Sequence, residues 1–266
     1  MYGAIIGDIV GSRFEWQPTK DKDFELFAPD CRVTDDSVMT TAVAEALLEM
    51  QEDAGEEEIL QSFRESMQTW GLRYPRAGYG GRFVQWLHER ESEAYYSFGN
   101  GSAMRVSPCG WVADNMEETR RLAALSAMPS HDHPEGIKGA ESVAAAIFLA
   151  RTGASREEIR DYIEKEFDYD LHRTCEDIRP DYSFDVTCQG SVPEAIIAFL
   201  DGESYEDVIR EAVAFGGDSD TQAAIAGSIA EAFFGVPEEL CAKAEDFMPE
   251  DMKKVAARFA ETFMEG

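Results

Sequence analysis

Positive charge is scarce in this chain: 24 lysines and arginines stand against 53 aspartates and glutamates, a formal net charge of −29. Binding to nucleic acid in general or to anionic membranes depends on basic surface, so the balance argues against both partners. Histidine is scarcer still, with four in 266 residues, and the five cysteines (Cys31, Cys109, Cys175, Cys188, Cys241) are scattered, odd in number and without a C-x-x-C pair. Neither a disulfide framework nor a zinc site is indicated, and a reducing cytoplasm is the expected compartment. No run approaches the roughly 18 apolar residues of a membrane span. The stretch from Tyr2 to Val10 is apolar, but Asp8 interrupts it and no basic segment precedes it, so a signal peptide is not expected. There is also no Pro/Gly/Ser-rich linker, no low-complexity tract and no fixed-period repeat. With 44% hydrophobic residues the chain can bury a substantial core, and a single domain over residues 1–266, acting as a monomer, is the expectation.

What the sequence does have is helical periodicity. Residues 36 to 50, 56 to 70, 83 to 90, 117 to 127, 135 to 151, 155 to 167, 191 to 200 and 204 to 215 carry apolar residues at helical spacing. Ser155 and Glu158 form a capping box, and Pro193 is placed in the first turn of its helix. Residues 219 to 234 are small and apolar nearly all round, which predicts a central buried helix, and Pro237 and Pro249 open two last helices. Gly3 to Ser12 reads as either a short buried helix or a strand. Residues 17 to 33 and 71 to 81 read as loops, and residues 168 to 190 are the least readable segment, taken as loop. The expected fold is all-α, a compact orthogonal assembly of about ten helices.

Two oxygen-rich clusters sit at helix starts. Gly216-Gly217-Asp218-Ser219-Asp220-Thr221 leads into the buried helix, and Thr34-Asp35-Asp36-Ser37 leads into the helix that begins near Asp36. One helix start needs one capping side chain, and each cluster offers more. The surplus fits hard-cation ligands, because magnesium and manganese take carboxylate and hydroxyl oxygen. If the two starts meet, Thr34, Asp35, Asp36, Asp218, Asp220 and Thr221 could surround one or two divalent ions, in a cleft at helix N-termini. Gly99-Asn100-Gly101-Ser102, preceded by Phe98, reads on spacing as an ordinary turn.

These clusters, with Gly99-Asn-Gly-Ser-Ala-Met-Arg105, Ser130-His-Asp-His-Pro134 and Gly3-Ala-Ile-Ile-Gly-Asp-Ile-Val-Gly-Ser-Arg-Phe-Glu15, resemble in order the motifs of the ADP-ribosylglycohydrolase family. The resemblance spans almost the whole chain. It implies an all-α fold, a centre of two Mg2+ (or Mn2+) ions and hydrolysis of the bond that links ADP-ribose to an acceptor, so that ADP-ribose or an ADP-ribosylated substrate is the partner. It also implies roles. Thr34, Asp35, Asp36, Asp218, Asp220 and Thr221 would be metal ligands, with Asp220 bridging, and Glu15 and Asp35 would be the catalytic carboxylates. Gly78, Tyr79, Gly80, Phe98, Gly99, Asn100, Gly101 and Ser102 would hold the pyrophosphate and adenine end, with Tyr79 as a stacking ring, and His131 would lie near the ribose.

On the residues alone Glu15 is a surface acid at a helix end, and His131 fixes a loop by a hydrogen bond. Ser37 and Gln222 depart from the family's commoner Thr and Asn, and neither change removes a carboxylate. A two-metal phosphohydrolase, or a non-catalytic ADP-ribose reader or structural protein on the same fold, stays open as an alternative.

Overall fold

The computed structural model describes residues 1–51, 53–89 and 93–264. Among them it contains helices and no strand, with one isolated antiparallel bridge between Gly99 and Thr187. The first segment resolves as helix: α1, Tyr2–Gly11, is buried at every position from Gly3 onward. Its glycines explain why. Gly3, Gly7 and Gly11 recur every four residues and so share one helical face, and that face lies directly on the backbone of the helix Ser219–Phe234. A Cβ at Gly3 would stand 2.3 Å from the Gly227 carbonyl oxygen, one at Gly7 2.1 Å from that of Ala223, and one at Gly11 2.4 Å from that of Ser219. Glu231 closes the other end of this contact, accepting hydrogen bonds from the Met1 ammonium and from the Gly3 amide.

The chain then runs through α2 (Asp35–Glu49), α3 (Glu56–Arg73) and α4 (Gly81–His88). α2 is capped by the Thr34 hydroxyl, which accepts from the Asp36 amide, and it carries Asp35 and Asp36 in the first turn, where the helix dipole favours negative charge. α3 continues past Trp70, so Gly71 lies within the helix and not in a loop. The Leu87 side chain packs where a Cβ on Gly71 would be, 2.5 Å from that position. Of the helix expected over 83 to 90, Arg90 lies outside the described residues, and α4 begins two residues earlier than Phe83.

α5 (Gly101–Met104), α6 (Cys109–Val112), α7 (Met116–Ala127), α8 (Pro134–Arg151), α9 (Arg156–Phe167) and α10 (Cys175–Ile178) follow. The capping box at Ser155 and Glu158 is present as expected. Five further helices complete the fold: α11 (Cys188–Asp201), α12 (Tyr205–Val213), α13 (Ser219–Phe234), α14 (Glu238–Glu245) and α15 (Glu250–Phe263). Fifteen helices exceed the expected ten partly because α5, α6 and α10 have four residues each, too few to leave a period in the sequence.

Pro193 is not in a first turn. The Thr187 hydroxyl accepts from the Gly190 amide and starts α11 at Cys188, which puts Pro193 inside the helix. There its missing N–H forfeits one backbone bond. α13 is the buried centre that the sequence predicts, enclosed from Ser219 to Glu231 and touched by α1, α8, α11 and α12.

Because the contact of α1 with α13 has no room for a methyl group, Gly7→Ala is expected to destabilise the protein by about 1–3 kcal/mol, the usual range for overpacking. Urea unfolding of the variant measures this. A midpoint equal to wild type would mean that the two backbones do not touch at this position.

Candidate active site

Three elements converge at one end of the contact between α1 and α13: α1 itself, the start of α2 and the start of α13. Asp8 projects from α1 into the interior, fully buried. Its carboxylate accepts from the Thr34 amide at 2.9 Å, the Thr34 hydroxyl at 2.6 Å, the Ser37 amide at 3.1 Å and the Ser37 hydroxyl. Asp8 therefore fixes the first turn of α2 against α1. Asp36 is buried beside it, with Oδ2 near the Thr34 and Thr221 hydroxyls at 3.3 and 3.4 Å, while Oδ1 is enclosed and has no hydrogen-bond partner. Asp8, Asp36 and Asp220 each offer a carboxylate oxygen to one spot, all within 4.8 Å of one another. Asp218 stands at the N-cap of α13 and accepts from the Asn100 side-chain amide at 2.7 Å. The Asp35 amide donates to the Ala77 carbonyl at 3.0 Å, and its Oδ1 lies against Gly78, 3.0 Å from where a Cβ would be. Gly78 has φ of 121°, a conformation that glycine adopts readily.

This concentration of buried acid is electrostatically unfavourable on its own. Burial raises the pKa of Asp8, Asp35, Asp36, Asp218 and Asp220 above the ordinary carboxylate range, and for Asp35, Asp36 and Asp220 neighbouring carboxylates raise it further. Asp35 is pushed up to about 8. Among the described residues none of the five has an ion-pair partner. A divalent cation resolves the conflict, and the unpartnered Asp36 Oδ1 is a lone pair with nothing else to bind. Carboxylate and hydroxyl donors without thiol or imidazole fit a hard ion.

The cluster floors a cleft of about 570 Å³, a size suited to a small molecule. Glu15 lines one side, in the turn that follows α1. Burial and Asp218 raise its pKa, while Arg32, at 4.0 Å, and the Trp16 side chain pull it back. Another part of the lining is aromatic and basic. Tyr79 packs on Phe83 with centroids 5.6 Å apart, the Arg82 guanidinium lies 4.7 Å from the centre of the Tyr95 ring, and the buried Arg105 approaches Phe83 at 5.9 Å. The Tyr79 hydroxyl is buried without a partner. His131 is buried, with Nδ1 at 2.8 Å from the Ser130 hydroxyl, and burial together with Arg105 and Arg82 holds its pKa well below the usual imidazole value. It is a neutral ring.

Of the residues singled out in the sequence, Glu15, Asp35, Asp36, Gly78, Tyr79, Gly80, Gly99, Asn100, Gly101, His131, Asp218, Asp220 and Thr221 all line this cleft. Three do not. Thr34 lies beneath the floor against Asp8, Ser102 is buried with its hydroxyl donating to the Gly136 carbonyl at 2.7 Å, and Phe98 is exposed and packs edge-on against His133. Residues that sequence reasoning did not assign also belong here: Asp8 below the floor, and Trp16, Arg82, Phe83, Tyr95, Phe184 and Val186 on the walls. Asp8 left a signal, a single acid inside an apolar run. A larger groove of about 720 Å³ between α2 and α3 is lined by surface acids and has no converging set of buried polar groups.

Comparison with known proteins gives the family and the fold. The family model described as ADP-ribosylglycohydrolase matches residues 1–266. The chain is 28% identical to zebrafish ADP-ribosylhydrolase ARH3 over 308 residues, covering 89% of this chain and 82% of that protein. It is 25% identical to the human ADP-ribosylhydrolase ARH3 over 335 residues, covering 98% and 88%. A solved structure titled "ADP-ribosylglycohydrolase-related protein complex" superposes with a TM-score of 0.71 at 22% identity, covering 98% of this chain and 95% of that one. That likeness is one of fold.

Asp35 also gives the stability a pH dependence of known sign. Its pKa is about 8 in the folded protein against 3.8 ordinarily, so between those values the folded state keeps a proton that the unfolded state has released. Stability without divalent cation should therefore fall as pH rises from about 4 to about 8. Asp35→Asn should flatten that fall, and saturating magnesium should oppose it. Thermal melts across this range decide the matter, and a cation-free protein that grows more stable toward pH 8, with the same slope in the variant, would contradict the assignment.

Proposed function

This chain belongs to the ADP-ribosylglycohydrolase family, and from that premise we propose that it hydrolyses the glycosidic bond between ADP-ribose and an acceptor, as one domain with two magnesium or manganese ions. The observation that carries the reading is the position of the buried carboxylate cluster. It floors the same cleft whose walls carry Glu15 and the aromatic and basic side chains of Tyr79, Phe83, Arg82 and Arg105.

The bond to be broken leaves from the anomeric carbon of a ribose through an oxocarbenium-like state, so the protein must hold the sugar, deliver water and manage one proton. Asp35, Asp36, Asp218 and Asp220, with the Thr34 and Thr221 hydroxyls, would hold the ions. When bound, the ions supply an anchor for the vicinal ribose hydroxyls and make a nearby water more acidic. Asp8 does not need to be a ligand itself, because its four accepted hydrogen bonds set the first turn of α2 in place. Glu15, whose pKa is raised by burial and by Asp218, is the carboxylate on the cleft wall placed to act as acid or base. Among the wall residues, Tyr79, backed by Phe83, offers a ring to adenine, and Arg82 offers donors to the pyrophosphate. The neutral His131 is held by Ser130 with Nε2 beside Gly101, where a Cβ would come within 3.1 Å. The glycine there keeps that edge of the cleft open.

Glu15→Gln keeps the shape of the side chain and removes its proton chemistry. Turnover of ADP-ribosylated substrate should fall by a factor on the order of 10² to 10⁴, with ADP-ribose still bound in calorimetry. Wild-type turnover in this variant would rule out Glu15 as the acid or base. Asp220→Ala should instead weaken both magnesium and ADP-ribose binding, and exhaustive chelation should stop hydrolysis. Release of inorganic phosphate in place of free ADP-ribose would point to a phosphohydrolase on this fold.

A further inference from the structure

Asp218 is held from two directions, and both lead back to one lysine. The first runs through its carboxylate, which accepts from the Asn100 side-chain amide at 2.7 Å. Asn100 is fixed in turn by its backbone N–H, which donates to the Val186 carbonyl at 2.8 Å. Earlier on that same segment stands Tyr182, whose carbonyl accepts from the Lys20 ammonium at 2.7 Å. The second direction is the backbone that leads into α13. Just ahead of Gly216 and Gly217, the Phe215 carbonyl accepts from the same ammonium.

The path closes on itself, from Lys20 through Phe215 to Asp218, across to Asn100, and back through Val186 and Tyr182. Its interior is packed. The Tyr182 ring fills the space that a Cβ on Gly217 would need, and its hydroxyl donates to the Gly190 carbonyl at 2.7 Å. Gly216, with φ of 65°, lies against the segment that carries Lys20: a Cβ there would stand 3.0 Å from the Thr19 carbonyl oxygen and 3.1 Å from Lys20 Cε. Lys20 also departs from what a lysine in this chain ordinarily meets. With 53 acids in the sequence, carboxylates are abundant, and Lys22 takes two of them, Asp207 and Glu211. Among the described residues Lys20 has no carboxylate within ion-pair distance and gives its donors to two backbone carbonyls. Such charge-assisted bonds are stronger than neutral ones, and Lys20 is itself an exposed residue with no core to fill.

We propose that Lys20 is a positioning residue of this site: it locks the closed path of chain that aims the Asp218 carboxylate, and thereby sets the affinity for the divalent ion. The inference rests on the ion-binding reading above and deepens it. Charge alone predicts the opposite sign. Removing one cation from a protein of net charge −29 would draw magnesium more strongly, whereas releasing the Asp218 turn weakens its hold.

Three variants separate the two effects. Lys20→Met keeps the aliphatic length and removes donors and charge, Lys20→Arg keeps both, and Lys165→Met removes the charge of a remote lysine that is 79% exposed. Magnesium is titrated into each by calorimetry without substrate. Lys20→Met should bind it about 3- to 30-fold more weakly than wild type, with Lys20→Arg close to wild type and Lys165→Met no weaker. Hydrogen exchange of the metal-free proteins, followed by mass spectrometry, gives a second readout: peptides spanning residues 182–188 and 215–222 should exchange faster in Lys20→Met, while those of α9 exchange as in wild type. Magnesium binding by Lys20→Met as tight as wild type or tighter, or unchanged exchange in both segments, would overturn the proposal. If the wild-type protein takes up neither magnesium nor manganese, the ion-binding reading fails, and exchange in the metal-free proteins still decides whether Lys20 locks the path.

Discussion

Everything in this protein hangs on two backbones that touch. Helices ordinarily keep 8–10 Å between axes because side chains fill the gap, and α1 removes those side chains by placing Gly3, Gly7 and Gly11 on one face. The consequence is positional. With α1 pressed on α13, Asp8 comes within reach of Asp220 and Asp36, and the turn that ends α1 brings Glu15 to the edge of the same cleft. A methyl group at any of the three glycines would separate the helices. The residues that suffer first would be the buried aspartates that this contact brings together.

That closeness carries an electrostatic cost which the fold makes no attempt to remove. Burial raises the proton affinity of all five aspartates and their neighbours raise that of Asp35, Asp36 and Asp220 further, with no arginine or lysine paired to any of them among the described residues. Unpaired buried charge is among the least favourable arrangements a protein can hold. Local conflicts of this kind concentrate at functional sites. The hydrogen bonds of Asp8 show where the conflict is contained. Four donors from Thr34 and Ser37 neutralise the need of one carboxylate, whereas the buried Oδ1 of Asp36 is left without any.

Much of this was legible in the sequence, and the remainder was hidden for physical reasons. Helices such as α8, α9 and α12 declare themselves because each has an apolar stripe and a capping residue. α13 declares itself by small residues all round, and its oxygen-rich start marks the site. α1 was ambiguous because its decisive feature is the absence of side chains at four-residue spacing, which a hydrophobicity pattern does not register. The start of α11 was misplaced because proline is commonest in a first turn, and here Thr187 provides the cap while Pro193 is tolerated inside. Phe184 fell in a polar stretch with no period. Its place beside Trp16 depends on the bridge of Gly99 to Thr187, a long-range contact between residues far apart in the chain. Phe98 and Ser102 show the converse: a motif's neighbours can be inside it in sequence and outside the cleft in space.

A chain with this net charge has to bind a substrate that is anionic on the proposed reading, and the polarity of the cleft shows how that is possible. Its lining brings two cationic residues, Arg82 and Arg105, together with the carboxylates of Glu15, Asp35, Asp36, Asp218 and Asp220. Arg105 is fully buried and directs one guanidinium nitrogen to the Ser126 carbonyl at 2.9 Å and the Ser130 hydroxyl at 3.0 Å. Burial first, and then Arg105 and Arg82, hold the pKa of the neighbouring His131 down. On the proposed reading a diphosphate would be drawn to the two arginines, and a cation held by the aspartates would draw the ribose. On that reading the two arginines and the ion-holding aspartates together would favour one orientation of an ADP-ribosyl group, with its anomeric carbon toward Glu15.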